Sequence, residues 1–517
     1  MVQRQTLFIL FFSLVASAYE QQGKVSFNGK AKVEYTDRAL EDQILDLPGT
    51  ENLEINFNQF SGYLKVSDTK NIHYWMVESQ RDPKSDPIAF WTNGGPGCSG
   101  LYGFLTENGP FQTHSADLSL TMNPYSWNKI ATMVFIEQPC GVGYSYSEQS
   151  DPYKNDGGDY ITDDEQSSAD NYALVQAFFD RFPDYRVNDL YIASESYGGH
   201  YMPQLAKQIV DHNQAGEDVQ LNFKGFLVGN PGTTFYSIIP AGLDTYWGHQ
   251  IISQPLYDAF EKNCREAPHF NLTLCEEYYL AMYEEIGDLN PYALDYDVCL
   301  EDDSTNAGKA RKYGRSQRTW MMNHALPALF QKLEGTSDGQ ILSEESQARM
   351  NAIRKHIGLK STNEEYVPCA EDYMTAYMNQ DSVKKAIHVN ADIKWKDCST
   401  SLRYKTADRH DDQTPYYNYL INGPYNLNIL VVSGDDDSVC ATIGTQDWIW
   451  KLGYEVKGRP WRSYKVNGQT GGYLTQWKNT KMAFATVHNA GHEVPTYQPE
   501  VAYYLWENYL NGALTDC

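Results

Sequence analysis

The stretch Leu190-Tyr-Ile-Ala-Ser-Glu-Ser-Tyr-Gly-Gly-His200 runs an apolar segment into an abrupt Ser-Tyr-Gly-Gly, and a helix-like stretch follows. A strand that turns sharply into a helix holds the turn's side chain up from the sheet edge and aims the next backbone N–H at a developing oxyanion. Ser196 occupies that turn, with Tyr197 behind it, as in a nucleophile elbow. The elbow pattern G-x-S-x-G has Ser194 in place of its first glycine, a small residue that fits less easily if positive φ is required there.

Two downstream segments extend this reading. Asn428-Ile-Leu-Val-Val-Ser-Gly-Asp-Asp-Asp-Ser-Val-Cys440 is an apolar strand ending in an acidic turn, and Phe484-Ala-Thr-Val-His-Asn-Ala-Gly-His-Glu-Val-Pro495 is a strand opening onto a Gly-His loop. Ser, then Asp, then His is the chain order of the α/β-hydrolases. The chemistry needs a base within hydrogen-bond reach of the hydroxyl and a carboxylate that fixes the imidazole tautomer, each on a turn past a strand end. His492, between Gly491 and Pro495, has the surroundings of a loop residue, whereas His488 falls inside the strand pattern and is expected to pack there. Spacing does not choose among Asp435, Asp436 and Asp437.

Trp91-Thr-Asn-Gly-Gly-Pro-Gly-Cys-Ser-Gly100 follows the apolar run Pro87–Asn93, and a glycine-rich turn there lets backbone N–H groups approach a ligand. With Glu107-Asn-Gly-Pro110, Asn123-Pro-Tyr-Ser-Trp-Asn128, Gln138-Pro-Cys-Gly-Val-Gly-Tyr-Ser145, Glu195–Tyr201, Ser433–Cys440 and Gly471-Gly-Tyr473 through His492-Glu-Val-Pro495, the chain resembles the serine carboxypeptidases. These are secreted and lysosomal or vacuolar α/β-hydrolases that remove C-terminal amino acids from peptides. The matching segments run across almost the whole chain in the family's order.

The resemblance implies Ser196 as nucleophile, His492 as general base and then acid, and Asp437 as the orienting carboxylate. It implies oxyanion-hole N–H groups at Gly95 and Tyr197, and binding of the substrate's terminal carboxylate by Asn93, Glu107 and Glu195 near Trp91. A carboxylate hydrogen-bonds a glutamic acid only when that acid carries a proton, so cleavage is expected to be best at mildly acid pH. Glu493 matches a position beside the pocket for the departing residue, where an acid suits Lys and Arg, and Cys440 matches one where some members hold a free thiol. No metal or other cofactor is implied, and neither C-x-x-C nor H-E-x-x-H occurs. The same fold also supports acyl transfer to an alcohol, and a non-catalytic protective or binding role is a third reading.

The 517 residues carry a net charge of −26, which argues against nucleic acid as a partner. Arg4, the apolar run Leu7–Ala16 and Ala16-Ser-Ala18 read as a signal peptide over 1–18, and no second run is long enough to span a membrane. The expected place is the secretory pathway, in a lysosome or vacuole or exported, with peptides and proteins as substrates and a homodimer as the candidate assembly. Asn271-Leu-Thr273 is an N-glycosylation sequon. Nine cysteines imply disulfides and a leftover thiol; the resemblance pairs Cys98 with Cys369 and Cys264 with Cys275, leaving Cys140, Cys299, Cys398 and Cys517 unassigned.

Strand-like runs at 63–66, 73–77, 88–93, 132–137, 189–194, 225–229, 429–433 and 483–488 alternate with helical stretches such as Asp164–Phe182 and Gln498–Leu510. That alternation predicts a mostly parallel sheet with helices on both faces. A polar, Cys-bearing, helical block at 232–365 resembles the family's cap, inserted between core segments 19–231 and 366–517. Within it, 301–315 is charged and weakly patterned, and some family members are cut in this block.

Overall fold

The apolar runs fold into the middle of one twisted sheet, because a strand covered on both faces has no polar side to present. The computed structural model describes residues 32–113, 117–150, 158–216, 218–234, 240–265, 289–298, 370–405 and 411–514, with 237, 278, 281–282, 285–287, 300–301, 309–310, 366–367 and 408. Its main strands are β1 (Gln59–Lys65), β2 (Lys70–Val77), β3 (Ile88–Thr92), β4 (Thr132–Ile136), β5 (Leu190–Glu195), β6 (Phe223–Gly229), β7 (Asn428–Gly434), β8 (Arg462–Val466), β9 (Gln469–Gln476) and β10 (Met482–Val487). Their spatial order is β1-β2-β4-β3-β5-β6-β7-β10-β9-β8, and the short strand Tyr146–Ser147 joins at β2. From β4 across to β10 every pairing is parallel. The flanking pairs are antiparallel. Every residue of β3, β4 and β10 is buried.

Helices cover this sheet, among them α1 (Gly100–Thr106), α2 (Asp164–Arg181), α3 (Gly198–Ala215), α4 (Pro240–Gly248) and α5 (Pro499–Leu510). Helix α2 starts where the sequence places it, because the Asp163 side chain caps Gln166 N and acids fill the first turn. Chain order reverses around β5, with β3 and β4 on one side and β6 and β7 on the other. Such a switch point opens a crevice at the strands' carboxyl ends. The architecture is the expected α/β-hydrolase fold.

Two differences from the sequence reading stand out. The expected strands lack β8 and β9, a half-exposed hairpin whose turn, Asn467-Gly468, has both residues at positive φ (50° and 80°). Asn-Gly is a strong hairpin signal, but the flanking residues are too polar to register as an apolar run. Secondly, Cys98 is bonded to Cys398 and not to Cys369. The segments meet as an antiparallel bridge, with Ser99 N donating to Asp397 O (2.7 Å) and Ser399 N to Gly97 O (2.9 Å), which sets the two cysteine Cα atoms 4.0 Å apart. The bridge therefore sets the two cysteines directly opposite one another.

Cys264 is also disulfide-bonded, with its partner outside the described residues, as are Cys275, Cys299, Cys369, Cys517, Asn271 and the 1–18 segment. Cys140 and Cys440 are free and buried. Among the described residues no helix is long and apolar enough to cross a membrane.

Leu243, Tyr246, Ile252, Phe260, Cys264, Met282 and Leu294 form an apolar cluster apart from the main core. Non-reducing peptide mapping is expected to return a Cys98–Cys398 cross-linked pair. Cys398→Ser is expected to cost about 2–5 kcal/mol, read as a lowered unfolding midpoint.

Candidate active site

Strand β5 ends at Glu195 and α3 begins at Gly198, so Ser196 and Tyr197 alone make the turn. Ser196 sits at φ 58°, a left-handed conformation that costs a non-glycine residue about 1–3 kcal/mol. Three backbone hydrogen bonds hold it: Ser196 N to Gly229 O, and Gly199 N and Gly232 N to Ser196 O, each 2.9 Å. Ser194 is accommodated because it lies inside the strand, and the steric burden falls on Gly198, where a Cβ would meet Ser194 Oγ at 2.2 Å.

The glycine-rich turn after β3 lies directly against this elbow. A Cβ on Gly94 would stand 2.4 Å from Tyr197 N and 2.6 Å from Glu195 O. Gly95 follows at φ 115°, one residue past that contact. The Tyr197 ring is fixed from behind. Its hydroxyl donates to Asp164 Oδ1 (2.9 Å), and it stacks on His200 at 4.3 Å, whose Nδ1 bonds Asp164 Oδ2 (2.8 Å). Burial works against the Asp164 charge, but hydrogen bonds from His200, Tyr404 and Tyr197 outweigh it and hold its pKa below the usual value.

The acidic turn after β7 gives each aspartate a different partner. Asp435 pairs with His488 (2.8 Å), which stands just past β10 with its side chain 65% exposed instead of packed in the strand. Asp436 accepts from Asp295 N (2.9 Å), and Asp437 Oδ2 bonds His492 Nδ1 (2.8 Å). Asp437 also accepts from Asn230 Nδ2 (2.8 Å), Val439 N (2.7 Å) and Cys440 N (3.1 Å). Burial alone would depress the His492 pKa, but the Asp437 charge and hydrogen bond overcome it and raise the value. Burial pushes the free Cys440 thiol well above its ordinary pKa, with the charges of Asp437 and Glu195 adding to the rise.

Beside these lies a crowd of buried carboxyls. Asn93 Nδ2 donates to Glu107 Oε1 and Glu195 Oε1, both at 2.8 Å, while Asn93 Oδ1 accepts from Trp91 Nε1 (2.9 Å) and Gly103 N (3.1 Å). Glu107 Oε2 is buried with no partner. Burial pushes Glu107 up to about 7 against the pull of Asn93, Glu195 and His492. Burial and then the charges of Glu107 and Glu493 push Glu195 well above its ordinary value. Burial likewise carries Glu493 up to about 8, with His492 opposing and Glu107 assisting.

The fold thus gathers Trp91, Asn93, Gly95, Glu107, Glu195, Ser196, Tyr197, Asp437, Cys440, His492 and Glu493 at one end of the sheet. Sequence reasoning missed Asn230, Tyr292 and Asp164. Tyr292 O accepts from His492 N (2.7 Å), and its ring meets the imidazole edge-on at 5.1 Å. Asn230 carried a signal of the same kind as the others, an amide just past the apolar end of β6. Tyr292 carried none.

Asp437→Asn removes the largest influence that opposes burial and leaves only the weaker pull of Glu493 and Glu107, so the His492 pKa is expected to fall relative to the wild type. Histidine-labelled NMR titration of both proteins checks this. Asn230→Ala leaves Gly434 N–H, which bonds Asn230 Oδ1 at 2.9 Å, without its partner. A loss of about 1–3 kcal/mol is expected by denaturant unfolding.

A family model described as serine carboxypeptidase matches residues 48–512. Serine carboxypeptidase-like 22 of Arabidopsis thaliana is 33% identical over 488 residues, covering 92% of this chain and 94% of that protein. Serine carboxypeptidase 24 of the same plant is 34% identical over 481 residues, covering 91% and 92%. Among solved structures, a prohormone-processing carboxypeptidase from Saccharomyces cerevisiae, Kex1(delta)p, shares the fold with a TM-score of 0.66 at 21% identity, covering 92% of this chain and 96% of that one. Sequence match, fold and the grouping of side chains agree: the chain belongs to the serine carboxypeptidase family.

Proposed function

We propose that this protein cleaves C-terminal residues from peptides at acid pH through an acyl-enzyme on Ser196, and that it accepts Lys and Arg as departing residues. The observation that carries the reading is the buried Glu107–Asn93–Glu195 cluster beside His492, with Glu107 Oε2 unpartnered. A protonated Glu107 or Glu195 donates to a substrate's terminal carboxylate, while an ionised one repels it. Trp91 holds Asn93 in the orientation that presents its amide N–H groups.

In the proposed mechanism Ser196 Oγ attacks the scissile carbonyl carbon as His492 takes the hydroxyl proton. The N–H groups of Gly95 and Tyr197 receive the oxyanion. The intermediate collapses as His492 returns the proton to the departing amine, and water attacks the acyl-enzyme by the same route. Asp437 holds the imidazole tautomer throughout. Cys440 flanks the hydroxyl as a neutral thiol, a position from which a bound mercurial would block Ser196. The insertion at 232–365 acts as a cap, a role supported by its separate apolar cluster and by Tyr292 against His492. A secretory location, in a lysosome or vacuole or outside the cell, is supported by the Cys98–Cys398 disulfide, since such bonds persist in oxidising compartments.

The pH dependence has a definite sign. Glu107 is protonated below about 7 and ionised above it, so kcat/KM for a blocked dipeptide acid is expected to fall as pH passes through 7. The matching C-terminal amide, which lacks the charge, keeps its rate to higher pH. Coincident profiles would refute the role of the Glu pair. Ser196→Ala is expected to lose roughly a million-fold in kcat. Residual full activity would instead place the chemistry elsewhere, and product passed to an added alcohol in place of water would identify an acyltransferase.

Glu493 behaves in the opposite sense. Held up to about 8, it is neutral at acid pH and gains charge as pH rises. The preference for C-terminal Lys over Leu is therefore expected to grow from pH 5 to pH 8, and Glu493→Gln is expected to flatten that trend. An unchanged trend in the variant would remove Glu493 from substrate selection.

A further inference from the structure

We propose that His249, Asp295 and Asp436 form a binding site for a divalent transition ion of the Zn2+ class, which pins the inserted segment to the acidic turn after β7. One donor atom from each residue lies within 4.8 Å of the others. Three separate parts of the chain supply them: His249 follows α4, Asp295 descends from the insertion, and Asp436 belongs to the turn at the sheet's carboxyl edge.

The second observation lies at Asp436 itself. Its residue is 2% exposed, yet Oδ1 has no hydrogen-bond partner, while Oδ2 accepts from Asp295 N. A buried carboxylate oxygen left unpaired is costly. The charged groups that act on Asp436 are acids on every side: Asp295 from the insertion, and Asp435 and Asp437 from its own turn. A cation satisfies the bare oxygen and relieves the crowding at once.

The donor set selects the ion. An imidazole with two carboxylates suits Zn2+ and its neighbours better than Ca2+ or Mg2+, which favour all-oxygen shells. Bonds of about 2.0–2.2 Å require donors roughly 3.3 Å apart, so the side chains must close by about 1.5 Å or less. His249 and Asp295 are exposed and free to make that movement, and Asp436 stays fixed in the turn. Three protein ligands leave the fourth position to water. The backbone already joins two of the pieces, with Leu294 N donating to Asp436 O (3.2 Å), and His249 N extends α4 by a bond to Thr245 O (2.9 Å).

The test is calorimetric titration of the full-length protein, stripped with EDTA, with ZnCl2 at pH 7.5. One equivalent is expected to bind, with affinity reduced at least tenfold in both His249→Ala and Asp295→Asn, and with Ca2+ and Mg2+ at least tenfold weaker. Zn2+ is also expected to raise the unfolding midpoint of the wild type by several degrees and of neither variant. The variants replace exposed groups, so their metal-free midpoints serve as the control for folding. No saturable binding, or equal affinity and stoichiometry in wild type and both variants, would overturn the site. Tighter binding of Ca2+ than of Zn2+ would overturn the ion class.

Discussion

The site depends on how closely the turn after β3 approaches the turn after β5. Gly94 carries no side chain where a Cβ would collide with Tyr197 N, and this lets two turns far apart in sequence place their backbones side by side. The approach is held from behind by Glu137, fully buried at the end of β4. Its carboxylate accepts from Ser99 and Trp395 on one oxygen and from His73 and Tyr144 N on the other. Ser99 caps α1 immediately after the glycines, and Trp395 lies just before the disulfide-bonded Cys398. One buried carboxylate thus locks the glycine-rich turn, the segment bonded to it and the sheet together. Such a network is strong when fully satisfied and costly when any member is removed.

A second constraint is electrostatic. Glu107, Glu195 and Glu493 are buried together near Asp437, and His492 opposes them. Crowded acids in a low-dielectric space hold protons that they would lose in water. Glu493 and Glu107 also raise the His492 pKa, so the cluster acts on the protonation of the imidazole as well as of the carboxyl pair. These groups titrate as a coupled set, and a substitution at any one of them is felt by the others.

Much of this was legible in the sequence, for identifiable reasons. The parallel strands read as continuous apolar runs because both their faces are covered, and each functional turn follows one of them. Asp437 was distinguished from its neighbours by resemblance and not by spacing. The structural distinction is distance to His492, which a three-residue acidic run does not encode. Tyr292 and Asp164 act through contacts with residues far along the chain, and no local pattern marks them. The sequence does not assign Cys398 a partner, because a cysteine pairing is decided by which segments form a bridge. The His249, Asp295 and Asp436 grouping lacks a motif for the same reason, since its members lie in three separate stretches.

The acidic turn shows how one short run serves several ends. Asp435 faces solvent with His488, Asp436 faces the insertion, and Asp437 faces the imidazole. The segment that meets Asp436 also meets His492: Leu294 N bonds Asp436 O, and Tyr292 O accepts from His492 N. Gly491 has to be glycine at that contact, because a Cβ there would lie 2.2 Å from Tyr292 O. Residues 292–294 therefore grip both the carboxylate turn and the histidine loop through backbone hydrogen bonds. A displacement of residues 290–296 cannot leave the Asp437–His492 pair undisturbed. In this chain residues 292–294 are mechanically part of the arrangement that orients the His492 imidazole.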